Sequence, residues 1–131
     1  MENTVNAHIK ADHYATVLTN NRHTLIADEP LDLGGTDLGF SPSELLCSAL
    51  ATCTCITLRM YADRKGWALT DVKADISIER NKETNTTHFN RQISLIGNLT
   101  EEQRNRLLSI ANQCPIHKTL TNPIVIDTVL V

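Results

Sequence analysis

Aromatic residues are scarce in this 131-residue chain: one Trp, two Tyr and two Phe. No basic–aromatic stripe is present on which nucleic-acid bases would stack. An excess of positive charge is missing too, since 12 Lys and Arg against 15 Asp and Glu leave a formal net charge of −3. Such a surface is a poor partner for a phosphate backbone, so no nucleic-acid partner is expected. The N-terminal MENTVNAHIK has no apolar core of the kind a secretory signal needs, and a cytoplasmic location is expected. The most apolar stretch, around residues 45–60, is interrupted by Ser48, Thr52, Thr54, Thr57 and Arg59, which argues against a membrane span. Four cysteines are too few for a disulfide scaffold; reactive, metal-binding or buried thiols remain.

What is present fits a single domain, residues 1–131, long enough to bury about two-thirds of its unfolded surface. HYATVLTNNRHTLIAD places two β-leaning runs around Asn20-Asn21, and Asn tolerates the positive φ of a tight hairpin turn. DEPLDLGGTDLGF, with its proline and three glycines, is a loop. SPSE at 41–44 is a capping box, with Ser41 as N-cap, Pro42 at the first helical position and Glu44 as the reciprocal partner. The helix it starts runs to Gly66, a left-handed terminator. Leu45, Leu46, Ala49, Leu50, Cys53, Ile56 and Met60 recur along it at three-to-four spacing, and a stripe of that length is covered more easily by a dimer than by one domain.

Val72, Ala74, Ile76 and Ile78 alternate, as do Phe89, Arg91, Ile93 and Leu95, which predicts a long hairpin across NKETNTTH. Thr100 and Gln103 form a second capping box. Leu107, Leu108, Ala111 and Cys114 give that helix an apolar face ending at a thiol. NPIVIDTVLV reads as a closing strand. Strands, long helix, hairpin, helix and strand together make an α+β domain.

The cysteines divide by geometry. At about 100° per residue, Cys53 and Cys55 lie roughly 160° apart, and Cys47 is about 120° from Cys53, so a helical segment cannot chelate one metal with them. Zinc on Cys53 or Cys55 with Cys114 and His117 lacks a fourth ligand. Cys47 and Cys55 read as small buried hydrophobes. Cys53, placed on the apolar stripe, is by itself also closer to a core residue. Cys114 differs. If Pro115 opens a short helix, Cys114 becomes its N-cap, where free N–H groups and the helix dipole favour a thiolate. His117 would project from the first turn, either adding charge or filling a polar slot. A thiolate-favouring cysteine and a second Cys on a facing helix would make a peroxidatic and resolving pair, with the order of attack open.

GFSPSELLCSALATCTCITLRMYADRKGW and IANQCPIHKTL, with IADEPLDLGGTDLGF and GNLTEEQRNRLL, resemble the OsmC/Ohr family of osmotically induced and organic hydroperoxide resistance proteins. The likeness covers most of the chain and is nearest the OsmC-like branch with a P-x-E-L-L helix start and a C-P-x-H second motif. It implies an α+β fold of two sheets wrapped around central helices, as an intertwined homodimer with active sites at the interface. It implies thiol-dependent reduction of hydroperoxides, organic ones especially, with an external small or protein dithiol as reductant and neither metal nor other cofactor. Cys53 matches the family's peroxide-attacking cysteine and Cys114 its resolving one, which reverses the order that the N-cap argument favours. Candidate supporting groups are Arg22, the sole Arg before the long helix, Glu44, beside the Ser43 on which the hydroperoxide-resistance branch's Glu falls, and His117. Glu44 lies nine positions from Cys53, about 180° around and roughly 13 Å along one helix, so it reaches Cys53 only from another subunit or through a distortion. Two other functions fit the same residues: a non-catalytic module for a small lipid-like ligand, and a redox sensor using the same cysteines.

Overall fold

The computed structural model describes residues 3–131. The chain divides into two compact units, Met1–Leu46 and Cys47–Val131.

In the first unit, β1 (Asn6–Ile9), β2 (Thr16–Thr19) and β3 (Thr24–Ala27) form an antiparallel sheet in chain order. Thr19 faces Thr24 across the β2–β3 turn, where Asn21 takes φ 76°. The Asn20 side chain closes the turn by accepting the N–H groups of Arg22 at 3.2 Å and His23 at 2.8 Å. After β3 the chain wraps around the buried carboxylate of Asp28. That carboxylate accepts from the Thr36 hydroxyl (2.6 Å) and from the N–H groups of Glu29 (2.7 Å), Leu38 (3.2 Å) and Tyr14 (3.1 Å). The Thr36 hydroxyl first, then these N–H groups, outweigh burial and hold the acid well below the usual carboxylate range. Gly35 is required in this wrap, because a Cβ there would lie 1.9 Å from the Glu29 carbonyl oxygen. The expected loop is therefore ordered about one acid, with a 3-10 turn at Leu31–Leu33.

Helix α1 spans Pro42–Lys65. Its capping box is formed: the Ser41 N–H donates to Glu44 Oε1 at 2.9 Å, and the Glu44 N–H donates to Ser41 Oγ at 3.2 Å. Gly66 ends it at φ 69°. By length and composition alone α1 could cross a membrane. Here its lower half packs on the rest of the second unit and carries an Arg59–Asp63 ion pair of 2.6 Å.

In that second unit β4 (Leu69–Asn81) and β5 (Thr86–Gly97) form the long antiparallel hairpin, followed by α2 (Glu101–Ile110), a 3-10 turn at Ala111–Gln113, and α3 (Pro115–Thr121). Half-burial alternates along both strands in the expected register, with Phe89, Arg91, Ile93 and Leu95 facing inward on β5. The α2 capping box between Thr100 and Gln103 is complete. Leu58, Ala62, Leu69, Leu107 and Ala111 form the core, with Trp67, Ile93 and Leu95 against it.

Two expectations are corrected. The buried row of α1 is Leu50, Thr54, Leu58 and Ala62, at strict four-residue spacing. Leu46, Ile56 and Met60, expected on the covered stripe, are 42%, 50% and 61% exposed. Three-to-four spacing marks two neighbouring rows, and the hairpin and α2 cover one of them. Thr54 can occupy the buried row because its hydroxyl donates to the Leu50 carbonyl at 2.7 Å. The second correction concerns NPIVIDTVLV. Among the described residues 123–131 form no strand, and Val125, Ile126, Val129 and Leu130 are more than four-fifths exposed. Apolar β-branched residues make a strand only where an edge accepts their backbone groups, and none among the described residues does.

Candidate functional site

Cys114 is fully buried and is the N-cap of α3, with Pro115 in the first helical position, as the local sequence predicts. Its Sγ accepts the His117 N–H at 3.4 Å. The thiolate expected from that geometry is not favoured. Burial above all, and then a hydrogen bond with the Cys53 side chain, push the Cys114 thiol up, outweighing the N–H groups of His117 and Ile116. Desolvation wins because α3 is only two turns long and the Cys114 side chain itself is fully buried. Cys114 is held as a thiol.

Cys53, half-buried on α1, is the side chain that adds to this rise, so the two cysteines share one neighbourhood. Both are reduced. Cys55 points instead toward β4, its Sγ 3.8 Å from the Val72 carbonyl, and burial raises its thiol. No group of three or more His, Cys, Asp or Glu side chains able to hold a metal occurs among the described residues.

Beside the thiols lies a residue that sequence reasoning placed only as part of a strand. Arg91, half-buried on β5, donates to Thr54 Oγ1 (3.1 Å), the Ala111 carbonyl (3.4 Å), Asn112 Oδ1 (3.0 Å) and His117 Nδ1 (3.2 Å). A guanidinium can only donate, so His117 Nδ1 must accept and its proton sits on Nε2. Burial and the Arg91 charge both lower the His117 pKa, which keeps the imidazole neutral. The signal for Arg91 was available: one charged residue standing in the inward register of an otherwise apolar alternation.

The other candidates lie elsewhere in their elements. Glu44 is occupied at the α1 N-terminus by its capping role, and its hydrogen bonds with Ser41 lower its pKa. Arg22 is exposed in the β2–β3 turn of the first unit.

Arg91, His117 and Asn112 also form the polar end of a cavity of about 570 Å³. Its apolar walls come from Leu50, Phe89, Ile93, Leu108 and Leu120. A second, more open groove of about 470 Å³ runs along the uncovered row of α1, between Ile56, Met60 and Val72.

The architecture so built is that of a small α+β protein. The family model described as OsmC-like protein matches residues 35–129. The chain belongs to that family. Solved structures of the same fold include an OsmC-like protein from Mycoplasma pneumoniae, at TM-score 0.78 and 18% identity over 92% of this chain and 87% of that one. An organic hydroperoxide resistance protein OsmC from Legionella pneumophila matches at TM-score 0.64 and 21% identity, covering 92% and 90%. The organic hydroperoxide resistance protein OhrB of Bacillus subtilis matches at TM-score 0.64 and 16% identity, covering 92% and 91%. No curated protein matches the sequence.

Proposed function

We propose that this chain is a cytoplasmic, thiol-dependent peroxidase of oxidative-stress defence, reducing organic hydroperoxides through Cys53 and Cys114. The observation that carries this is that Cys53, half-buried on α1, is near enough to the fully buried Cys114 to help hold its thiol protonated. The Cys53 thiolate attacks the distal oxygen of ROOH, the O–O bond breaks, and the departing alkoxide takes up the proton that the Cys53 thiol released and leaves as the alcohol, while Cys53 becomes a sulfenic acid. Cys114 then forms the S–S bond as the sulfenic oxygen departs with its proton as water. An external dithiol, small or protein-borne, restores both thiols by exchange. Holding Cys114 as a thiol suits the resolving role, because the nucleophile for peroxide must be the other sulfur. The hydroperoxide resistance proteins of the same fold support the substrate class. Peroxide consumption with a dithiol, measured on wild type and Cys53→Ser, tests the reading; equal turnover in both would sink it.

The working form we propose is a homodimer. The uncovered α1 row at Ile56 and Met60 and the six exposed apolar residues within 124–131 are surfaces that a second copy would cover.

The cavity ending at Arg91 and His117 favours a second reading, a module that binds a small lipid-like ligand without turnover. Intact mass after one equivalent of cumene hydroperoxide separates the two. Loss of two hydrogens, mapped to Cys53 and Cys114, supports the enzyme; an unmodified chain supports the binder. A disulfide that no dithiol recycles points to a redox sensor.

A further inference from the structure

Arg91 has four neutral hydrogen-bond acceptors, and the one ion pair among the described residues is elsewhere, between Arg59 and Asp63. A half-buried guanidinium with no carboxylate is not placed for ion pairing. The positions of its acceptors say what it does. Thr54 is the residue after Cys53 on α1. Ala111 and Asn112 lie in the 3-10 turn that delivers the chain to Cys114. His117 is the residue whose N–H holds the Cys114 sulfur. A single planar group on β5 therefore ties together the neighbours of both thiols, reaching α1, the 3-10 turn and α3 at once.

We infer that Arg91 is a positioning residue for disulfide formation, fixing the α1 segment of Cys53 against the turn and helix of Cys114. The inference rests on the proposal that these cysteines are a redox pair. Resolution forms an S–S bond, breaks the Cys53 S–O bond and releases water carrying the Cys114 proton. The geometry this needs is narrow, since a disulfide tolerates only a small range of Cα separations. Misplacement by about 1 Å can slow a reaction between held groups about a hundredfold. Arginine suits the task because its terminal N–H groups diverge in one plane and can reach several acceptors at once. A lysine ammonium keeps the charge but cannot span α1, the 3-10 turn and α3 together.

The test follows one equivalent of cumene hydroperoxide through the full-length protein by quenched mass spectrometry, with dimedone to trap sulfenic acid. Wild type, Arg91→Lys and Arg91→Met are compared, each checked for folding by circular dichroism. The readout is how oxidised Cys53 divides between sulfenic acid and disulfide, whatever the rate of the first oxidation in each variant. Disulfide formation should be about tenfold or more slower in both, and dimedone-labelled Cys53 should accumulate. A loss of stability alone would lower the melting temperature without shifting this split between sulfenic acid and disulfide. Disulfide formation within about twofold of wild type in both variants overturns the inference, and so does rescue by Lys, which would leave charge alone as the role. If neither Arg91 variant folds, Thr54→Val decides: slowed resolution supports the tether, and wild-type resolution removes it. A wild type that forms no Cys53–Cys114 disulfide refutes the redox-pair proposal itself, an outcome distinct from a wild type that forms it while the variants keep pace.

Discussion

Arg91 donates to Nδ1 of His117 at 3.2 Å, and this one contact fixes the imidazole as the neutral Nε2–H tautomer. Protonating His117 would set two cations face to face in a half-buried site. Burial and the guanidinium accordingly lower its pKa from 6.5.

A pH dependence of stability follows. Below the unfolded pKa of about 6.5 the unfolded chain takes a proton on this residue while the folded chain resists it. The stability His117 contributes is present above that pH and is lost as pH falls toward the folded value. Urea midpoints should decline from pH 7 downward, and His117→Gln, which keeps a neutral acceptor for Arg91, should flatten that part of the curve. An imidazole resonance of His117 titrating at or above 6.5 would contradict the assignment.

Cys114 should alkylate slowly at neutral pH, for two reasons. Its sulfur is buried, and burial together with Cys53 holds the thiol protonated. Cys53→Ala removes the second influence and leaves the first. The pH at which iodoacetamide reacts with Cys114 should therefore fall in that variant while staying above that of a free cysteine. An unchanged rate–pH profile would show that the two side chains do not interact.

Cys114→Ser should still be oxidised once at Cys53 by an organic hydroperoxide, because the attack needs only one thiolate. The sulfenic acid then persists, detectable by dimedone, and turnover with a dithiol falls. Failure of Cys53 to acquire the label would place the attack on another residue.

Leu107 is fully buried between α2 and the hairpin. Leu107→Ala should cost about 2–5 kcal/mol, from lost burial and the cavity left behind. The urea midpoint measures it, and a change under about 1 kcal/mol would mean the core collapses around the gap.

Light scattering should give a mass of twice the 14.6 kDa chain. Replacing Ile126 and Val129 with Lys should shift it toward the single chain, because charge there opposes the proposed contact. A monomer in the wild type would leave the apolar α1 row without the proposed cover.

Much of this protein is written locally. Ser41, Pro42 and Glu44 start α1, Gly66 stops it, Thr100 and Gln103 start α2, and the alternation from Val72 to Leu95 makes the hairpin. Each is set by atoms within a few residues, so the amino-acid order suffices to place it. The α+β class and the family followed from those elements and from the two cysteine motifs. Other features depend on what meets in space. Which of two neighbouring α1 rows is buried was decided by the hairpin and α2, which cover Thr54 and leave Met60 in the open. The state of Cys114 was decided by desolvation, which no local N-cap pattern reveals. Residues 123–131 have strand-forming side chains, but a strand also needs an edge to pair with. Arg91 gained its place only when β5, α1 and the turn before α3 came together around it. Capping and alternation are short-range and survive as pattern; burial, charge and pairing are sums over neighbours distant in the chain, and only the packed structure supplies them.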